Sequence, residues 1–585
     1  MRSFSGICTF RWNLPSKPTC SDFAGKLGRS AKMRITDRGN PNAKIVIIGD
    51  VGGGSDYSGG PFSGSSGSEF TKMLHEAGII QSECYLTLAW PHVFNRFRIP
   101  TLFAAWNKQK NVAKTLLSPE LQQERIRLLN LLDKINPNVV IVLEELPLFL
   151  LTNNLSPSKW RGSTLESVPH ANGRTWKVIP TYHPDQVMAM WSRRYQVVND
   201  FKRAKRESEF PGIKKPDYLF HLEPTRNEIF DFLVGIRADL DFGPMKISSD
   251  IETIGRHISC SGLAISNREA MCIPLISREK MDGYLSEEDE VKVVRLHKEI
   301  LTHPNAQVIG QNWLYDVQFF ARFWGFIARP YIDTMIGWHA LFPGEPKSLD
   351  FLSSMLCDHH EYWKDDVKDY TKYPDDEHKY WKYNAKDCVI TYEVAEKEIQ
   401  LIPHFNLHEQ FNFLMDLFIP VLKMMLRGTR IDTQYKNAMT MQLWEAMTGH
   451  EQWFESMVDW RVTKKNASPW YRSPKQLADV LYNDLNAPVQ RHKKTKSVTT
   501  DDKALEAIAQ KEPALRPLIT KLQEYRSLGI FKSNFADAKL DPDKRIRCSY
   551  GIAGPETFRF NSKISVFGTG ANLQTIPKGN KLEDE

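Results

Sequence analysis

No apolar run in this 585-residue sequence is long enough to cross a bilayer. Its first residues, MRSFSGICTFRWNLPSKP, are basic but lack the continuous apolar stretch of a secretion signal. Cysteine is scarce, and the eight present are scattered without a CxxC pair. That argues against a structural zinc and for reduced thiols in a cytoplasmic compartment. There is no internal repeat, and the Gly-rich loop GGGSDYSGGPFSGSSG has no Lys in the register that a Walker A phosphate loop needs. Charge of one sign is not abundant: a net +7 permits a polyanionic partner without demanding one. What is present is core-forming material, 41% hydrophobic and 11% aromatic, in a chain long enough for three or four domains.

The pattern changes along the chain. Residues 1–43 form a polar, basic arm, and from 44 KIVIIGD predicts a buried strand leading into the Gly-rich loop. Further strands are expected at YLTLAW, VVIVLE and WKVIPTYH, with helical stretches such as PELQQERIRLLNLLDKI between them. Strands alternating with helices predict an α/β layer with a mostly parallel sheet over 44–200. The charged stretch at 201–216 has the composition of a linker, 217–400 forms a second α/β region, and 401–585 is mostly helical. Long amphipathic stretches fall at 409–427 and 502–535, with the basic run RHKKTKS between them.

Four carboxylates occur in order through the middle region: Asp250 and Glu252 in SSDIET, Asp316 in GQNWLYD, and Asp387 in YNAKD. On a strand, Asp250 and Glu252 point to one face. Asn312 and Asp316, four apart, are expected on one helix face, and Tyr383 and Asp387 repeat that spacing. Such a set can hold two divalent ions about 4 Å apart, which activate water and stabilise the leaving oxygen in phosphodiester hydrolysis. Mg²⁺ or Mn²⁺ is expected, since hard oxygen donors suit them. Tyr383 could hydrogen-bond the attacking water. Trp313, Phe319 and Phe320 are expected in the core rather than as base-stacking platforms.

Together these motifs resemble the 3′→5′ proofreading domain of family A DNA polymerases, within the DEDD exonucleases. YIDTMIGWHALFPGEPKSLDFLSSML extends the resemblance, and Tyr383, with Lys382 where the histidine branch has its His, marks the tyrosine branch. The resemblance implies an RNase H-like fold. Asp250, Glu252 and Asp387 would hold one metal, Asp250 and Asp316 the second, and Tyr383 would orient the water. Asn312 would contact DNA.

GDVGGGSDYSGGPFSGSSGSEF, VVIVLEELPLFLL and TYHPD resemble the uracil-DNA glycosylase superfamily. The resemblance makes Asp50 a candidate to polarise water and His183 to stabilise a leaving anion. Leu88 stands where an Asn would bind the flipped base, which favours a non-catalytic DNA-binding or interaction module over a glycosylase. Lys177, Arg193 and Arg194 are candidate phosphate contacts there.

From 422, LKMMLRGTRIDT, SPKQLADVLYNDL and TFRFNSKISVFGTGANLQTIP resemble the thumb and early palm of family A polymerases. Gly428 is expected in a turn that needs positive φ, and Asp432 as a helix cap. Arg559, Asn572 and Gln574 would meet the primer–template, although Thr575 replaces the family's second Asn. The two palm carboxylates and the fingers Lys do not occur in these residues. The expectation is a replication protein that binds a single-stranded 3′ end and primer–template. It would polymerise only when completed by a second palm-and-fingers chain, and would not bind membranes. Polymerases with this N-terminal module suggest a bacteriophage protein in bacterial cytoplasm. The alternatives are a stand-alone exonuclease acting on DNA or RNA ends, and a DNA-binding scaffold with inert acids.

Overall fold

The computed structural model describes residues 34–107, 111–277, 282–367, 377–463, 468–493 and 496–576. The chain is a multidomain α/β protein of two compact units. The first comprises Met1–Leu219 and Pro346–Asp375, the second Phe220–Glu345 and Asp376–Glu585.

The first unit is built on a six-stranded sheet, order β1-β3-β2-β4-β6-β5, from β1 Arg38–Gly39, β2 Ile45–Gly52, β3 Tyr85–Val93, β4 Val139–Leu143, β5 Leu165–Glu166 and β6 Lys177–Thr181. The four inner strands are parallel, and the short edges β1 and β5 are antiparallel. Every residue of β2 and β4 is buried, as a parallel strand covered on both faces requires. Alternate residues serve opposite cores. Val46, Ile48, Val140 and Val142 meet α2 (Pro119–Ile135) and α3 (Glu145–Thr152). Ile47 and Ile141 meet α1 (Ser65–Glu76) and α4 (Arg193–Glu207).

Two boundaries differ from the sequence expectation. The stretch expected to be a linker from 201 is helical to Glu207, because Phe201 and Ala204 recur at helical spacing on a buried face while Lys202 and Arg206 are exposed. The region expected to be continuous from 217 to 400 is interrupted, since helix Leu349–Leu356 packs with the first unit. Buried Arg203 donates to the carbonyls of Cys357 (2.8 Å) and Asp358 (2.7 Å), and Arg161, paired with Asp200, donates to Ser354 Oγ (2.7 Å). The Arg203 bonds satisfy carbonyls at and beyond the end of that helix.

The second unit carries a sheet of order β12-β11-β8-β9-β10-β7 from β7 Leu219–His221, β8 Met245–Ile254, β9 His257–Ala264, β10 Glu269–Pro274, β11 Ala306–Gly310 and β12 Ile332–Asp333. β8 runs parallel to β11 and antiparallel to β9. One core gathers Ile247, Leu263 and Val308 with α5 (Arg226–Phe242) and α6 (Glu287–Leu301). It also takes in Trp313, Phe319 and Phe320, in agreement with the expectation that these aromatics are core. After α7 (Leu314–Phe319) and α8 (Thr334–Leu341), the 28-residue α9 (Glu377–His404) packs against β8, β9 and β10.

The helical region follows. The stretch 409–427 is two helices, His408–Asp416 and α10 (Phe418–Arg427), and 502–535 is broken at Pro513, where a missing N–H ends the ladder. Gly428 has φ 60°, and Asp432 caps α11 (Thr433–Met457) by accepting from the N–H groups of Gln434 and Tyr435. Two small ribbons close the described residues: β13 Thr429–Arg430 with β14 Arg545–Ile546, and β15 Cys548–Gly551 with β16 Asn561–Ile564. Among the described residues no helix is long and apolar enough to cross a membrane.

Candidate active site

In the second unit, β8 presents Asp250 and Glu252 on the same face, and α9 presents Asp387 toward them. Ligand oxygens of these three residues lie within 4.8 Å of one another. What lets α9 approach is Gly262 on β9: a Cβ there would sit 2.5 Å from both Asn384 Oδ1 and Cys388 Sγ. Asn384 Nδ2 then donates to Asp250 Oδ2 at 2.9 Å, linking the helix to the strand acid.

Asp316 is buried on α7 and accepts from the N–H of Ile251 at 3.1 Å, which fixes it beside Asp250 through the backbone. Burial, and then the negative charge of Asp250, push its carboxyl well above the usual carboxylate range, while the Ile251 N–H pulls the other way. Carboxylates crowded in this way call for cationic neutralisation, and an all-oxygen donor set fits a hard divalent ion.

Tyr383 lies one turn before Asp387 on α9 and shares a hydrogen bond with it. Burial and the neighbouring charges of Asp387, Glu252 and Asp250 push its phenol far up, so the hydroxyl keeps its proton. Outside the acids, Ser259 Oγ donates to the Glu252 carbonyl and lies 2.9 Å from the Tyr380 hydroxyl. Gly262 and Ser259 lie outside the acidic motifs and Asn384 is a neutral position inside YNAKD, and their roles arise only when β9 and α9 come together.

Asn312 corrects the expected helix face. It has φ 56° and precedes α7, and its N–H donates to Asp333 Oδ1 at 3.0 Å. A left-handed Asn breaks the helical register, so it cannot share a helix face with Asp316. Burial raises Asp333 to about 6 against the N–H groups of Trp313 and Asn312. In the C-terminal region Arg559 is exposed. Asn572 Nδ2 donates to the Ser562 carbonyl on β16 (3.1 Å) and Gln574 Nε2 to the carbonyl of Phe560, just before it (3.1 Å).

In the first unit, Asp50 is buried near the C-terminal end of β2 and His183 caps the helix after β6. Arg96, absent from any motif, stands between them: its Nε is 2.7 Å from Asp50 Oδ2, and its Nη2 is 3.0 Å from both Asp50 Oδ1 and His183 Nε2. Burial lowers His183 to about 4 and raises neighbouring Glu144 to about 7. Lys177 is buried against Glu207 (2.7 Å), and Arg194 is paired with Glu69 and Glu76. Neither is free for phosphate, because each neutralises a nearby acid.

Three family models match successive stretches of the chain: the uracil DNA glycosylase superfamily over residues 36–207, 3′-5′ exonuclease over 238–399, and DNA polymerase family A over 450–585. A type-4 uracil-DNA glycosylase of Archaeoglobus fulgidus is 28% identical over 190 residues, 31% of this chain and 85% of that protein. DNA polymerase I of Synechocystis is 28% identical over 203 residues, 33% of this chain and 18% of that one. DNA polymerase I of Pseudomonas aeruginosa is 25% identical over 333 residues, 54% and 34% respectively. The chain thus spans well under half of these polymerase relatives.

Proposed function

We propose that this protein is a replication protein of the family A DNA polymerase type whose second unit removes nucleotides from DNA 3′ ends. The observation that carries the reading is the gathering of Asp250, Glu252 and Asp387 within 4.8 Å, with Asp316 tied to the same strand. Asp250, Glu252 and Asp387 would hold one Mg²⁺ or Mn²⁺, and Asp250 with Asp316 a second. Such ions, when bound, supply a polarised water and charge neutralisation at phosphorus. Tyr383, protonated and hydrogen-bonded to Asp387, would orient that water. Asn384 holds Asp250 in the orientation that the acids need. Nucleotide addition, in this reading, is carried by palm and fingers residues outside this sequence, on the same or a second polypeptide.

The N-terminal module contributes DNA binding or an interaction surface rather than base excision, because Arg96 neutralises Asp50 and Leu88 offers no polar group to a base edge. The test uses a 5′-labelled primer, single-stranded or annealed, with the whole protein and Mg²⁺ or Mn²⁺. Stepwise shortening that disappears in Asp250→Ala supports the reading. Shortening that persists in that variant overturns the assignment of the acids.

A further inference from the structure

The C-terminal face of α10 and the two ribbons behind it enclose a concavity of about 640 Å³. Lys423, Arg427, Arg430 and Arg545 line it, and no carboxylate is among its lining residues. Helical spacing explains the arrangement. Phe418, Val421, Leu422 and Met425 bury one face of α10, which leaves Lys423, Met424 and Arg427 on the other. Gly428 then turns the chain so that Arg430 on β13 faces the same hollow, and Arg545 on the paired β14 donates to the Gly428 carbonyl at 3.1 Å. Arg545 also lies 3.8 Å from Asp543, whose carboxylate is engaged mainly by Arg547.

The side chains of Lys423, Arg427 and Arg430 have no ion-pair or hydrogen-bond partner among the described residues. This contrasts with the concavity of about 1300 Å³ at the far end of α11, where Arg472 is paired with Glu451, Lys532 with Asp537, and Arg526 with the Thr500 carbonyl. Guanidinium and ammonium groups facing one hollow repel one another unless an anion sits among them. The hollow exceeds a single phosphate, and Met424, Tyr550 and Leu573 add apolar and aromatic surface. Cations spaced along a groove with an aromatic ring at its wall are what a single strand takes: phosphates on the charges, a base on the ring.

We infer that this hollow is a binding site for single-stranded DNA, separate from the carboxylate cluster. The choice of DNA as the anion rests on the proposed function. Lys423, Arg427 and Arg430 lie between the stretches matched by the exonuclease and polymerase family models, so neither match assigns them a role. Arg545 sets the turn at Gly428 and supplies a fourth charge.

The test is fluorescence anisotropy of a labelled single-stranded oligonucleotide, titrated with whole protein carrying Asp250→Asn so that it is not cleaved, across a salt series. Combined Lys423→Ala, Arg427→Ala and Arg430→Ala should weaken binding about tenfold or more. It should also lower the slope of log K against log salt by about 2, since each single-strand phosphate contact contributes about 0.7. These side chains lie outside the apolar core, and an unchanged melting curve checks the fold. Affinity and slope equal to the parent's would overturn the inference, as would a loss confined to duplex DNA. Cleavage by the wild-type chain, measured separately, reports on the carboxylates alone. A protein that cleaves but binds independently of these cations sinks only this site, and one that binds through them without cleaving sinks only the exonuclease.

Discussion

Arg96 holds both oxygens of Asp50, at 2.7 and 3.0 Å, and lies 3.0 Å from His183 Nε2. The two residues that a glycosylase-like pocket would use are therefore tied to one guanidinium. The Asp50 carboxylate is already engaged by that guanidinium, and buried His183 stays neutral until about pH 4. The full chain should release no uracil from uracil-containing single-stranded or duplex DNA. Release above the level of a mock preparation would show that Arg96 moves aside.

Removing that guanidinium leaves Asp50 buried without its counter-charge. Arg96→Ala should destabilise the first unit by roughly 2 kcal/mol, below the full cost for a wholly buried pair because Arg96 is a quarter exposed. Differential scanning calorimetry checks this, and Arg96→Lys should recover part of the loss.

In the second unit, Tyr383→Phe should slow 3′ shortening by about 10²-fold while leaving metal titration of the acids unchanged, because only the hydroxyl on Asp387 is lost. Single-turnover cleavage together with Mn²⁺ titration separates the two effects. A rate equal to wild type would remove Tyr383 from the mechanism.

Gly262→Ala tests how the site is assembled. The new methyl would meet Asn384 and Cys388 at 2.5 Å, so α9 must move away from β9. Overpacking of this kind costs about 1–3 kcal/mol. Cleavage should fall far more than stability, since Asn384 and Asp387 shift relative to Asp250. Equal activity at saturating metal would mean that the acids tolerate displacement of the helix.

His297 predicts a pH dependence. It is wholly buried on α6, its Nδ1 donates to the Val293 carbonyl at 3.0 Å, and burial pushes its pKa down to about 4. Above about pH 6.5 the ring is neutral in both folded and unfolded chains, and its contribution is intact. As pH falls from about 6.5 toward 4, only the unfolded chain takes up the proton, and on the order of 3 kcal/mol is lost across that window. Denaturant midpoints of the whole protein at pH 7 and pH 4.5 should diverge less in His297→Leu than in the parent.

The carboxylate motifs were legible because strand and helix periodicities are local: Asp250 and Glu252 two apart on β8, Tyr383 and Asp387 four apart on α9. Asn312 was misplaced because a left-handed residue resets the register, and periodicity carries no sign of that. Arg96, Gly262 and Asn384 could not be found in this way. Their roles depend on partners 46 to 134 positions away, and a lone Arg, Gly or Asn has many unremarkable uses. The charged run at 201–216 misled for a related reason. Charge count masks the buried positions Phe201 and Ala204, which only the packed sheet displays.

The helix Leu349–Leu356 gives the first unit a debt to distant sequence. Arg161 and Arg203 are buried donors whose acceptors arrive some 150 to 190 positions later. A polypeptide cut near residue 216 would leave buried Arg203 without those carbonyl acceptors and Arg161 with Asp200 alone. Such a half should be insoluble when made alone. It should become soluble when a peptide spanning residues 346–375 is supplied during refolding, so the gene does not divide where its family matches do.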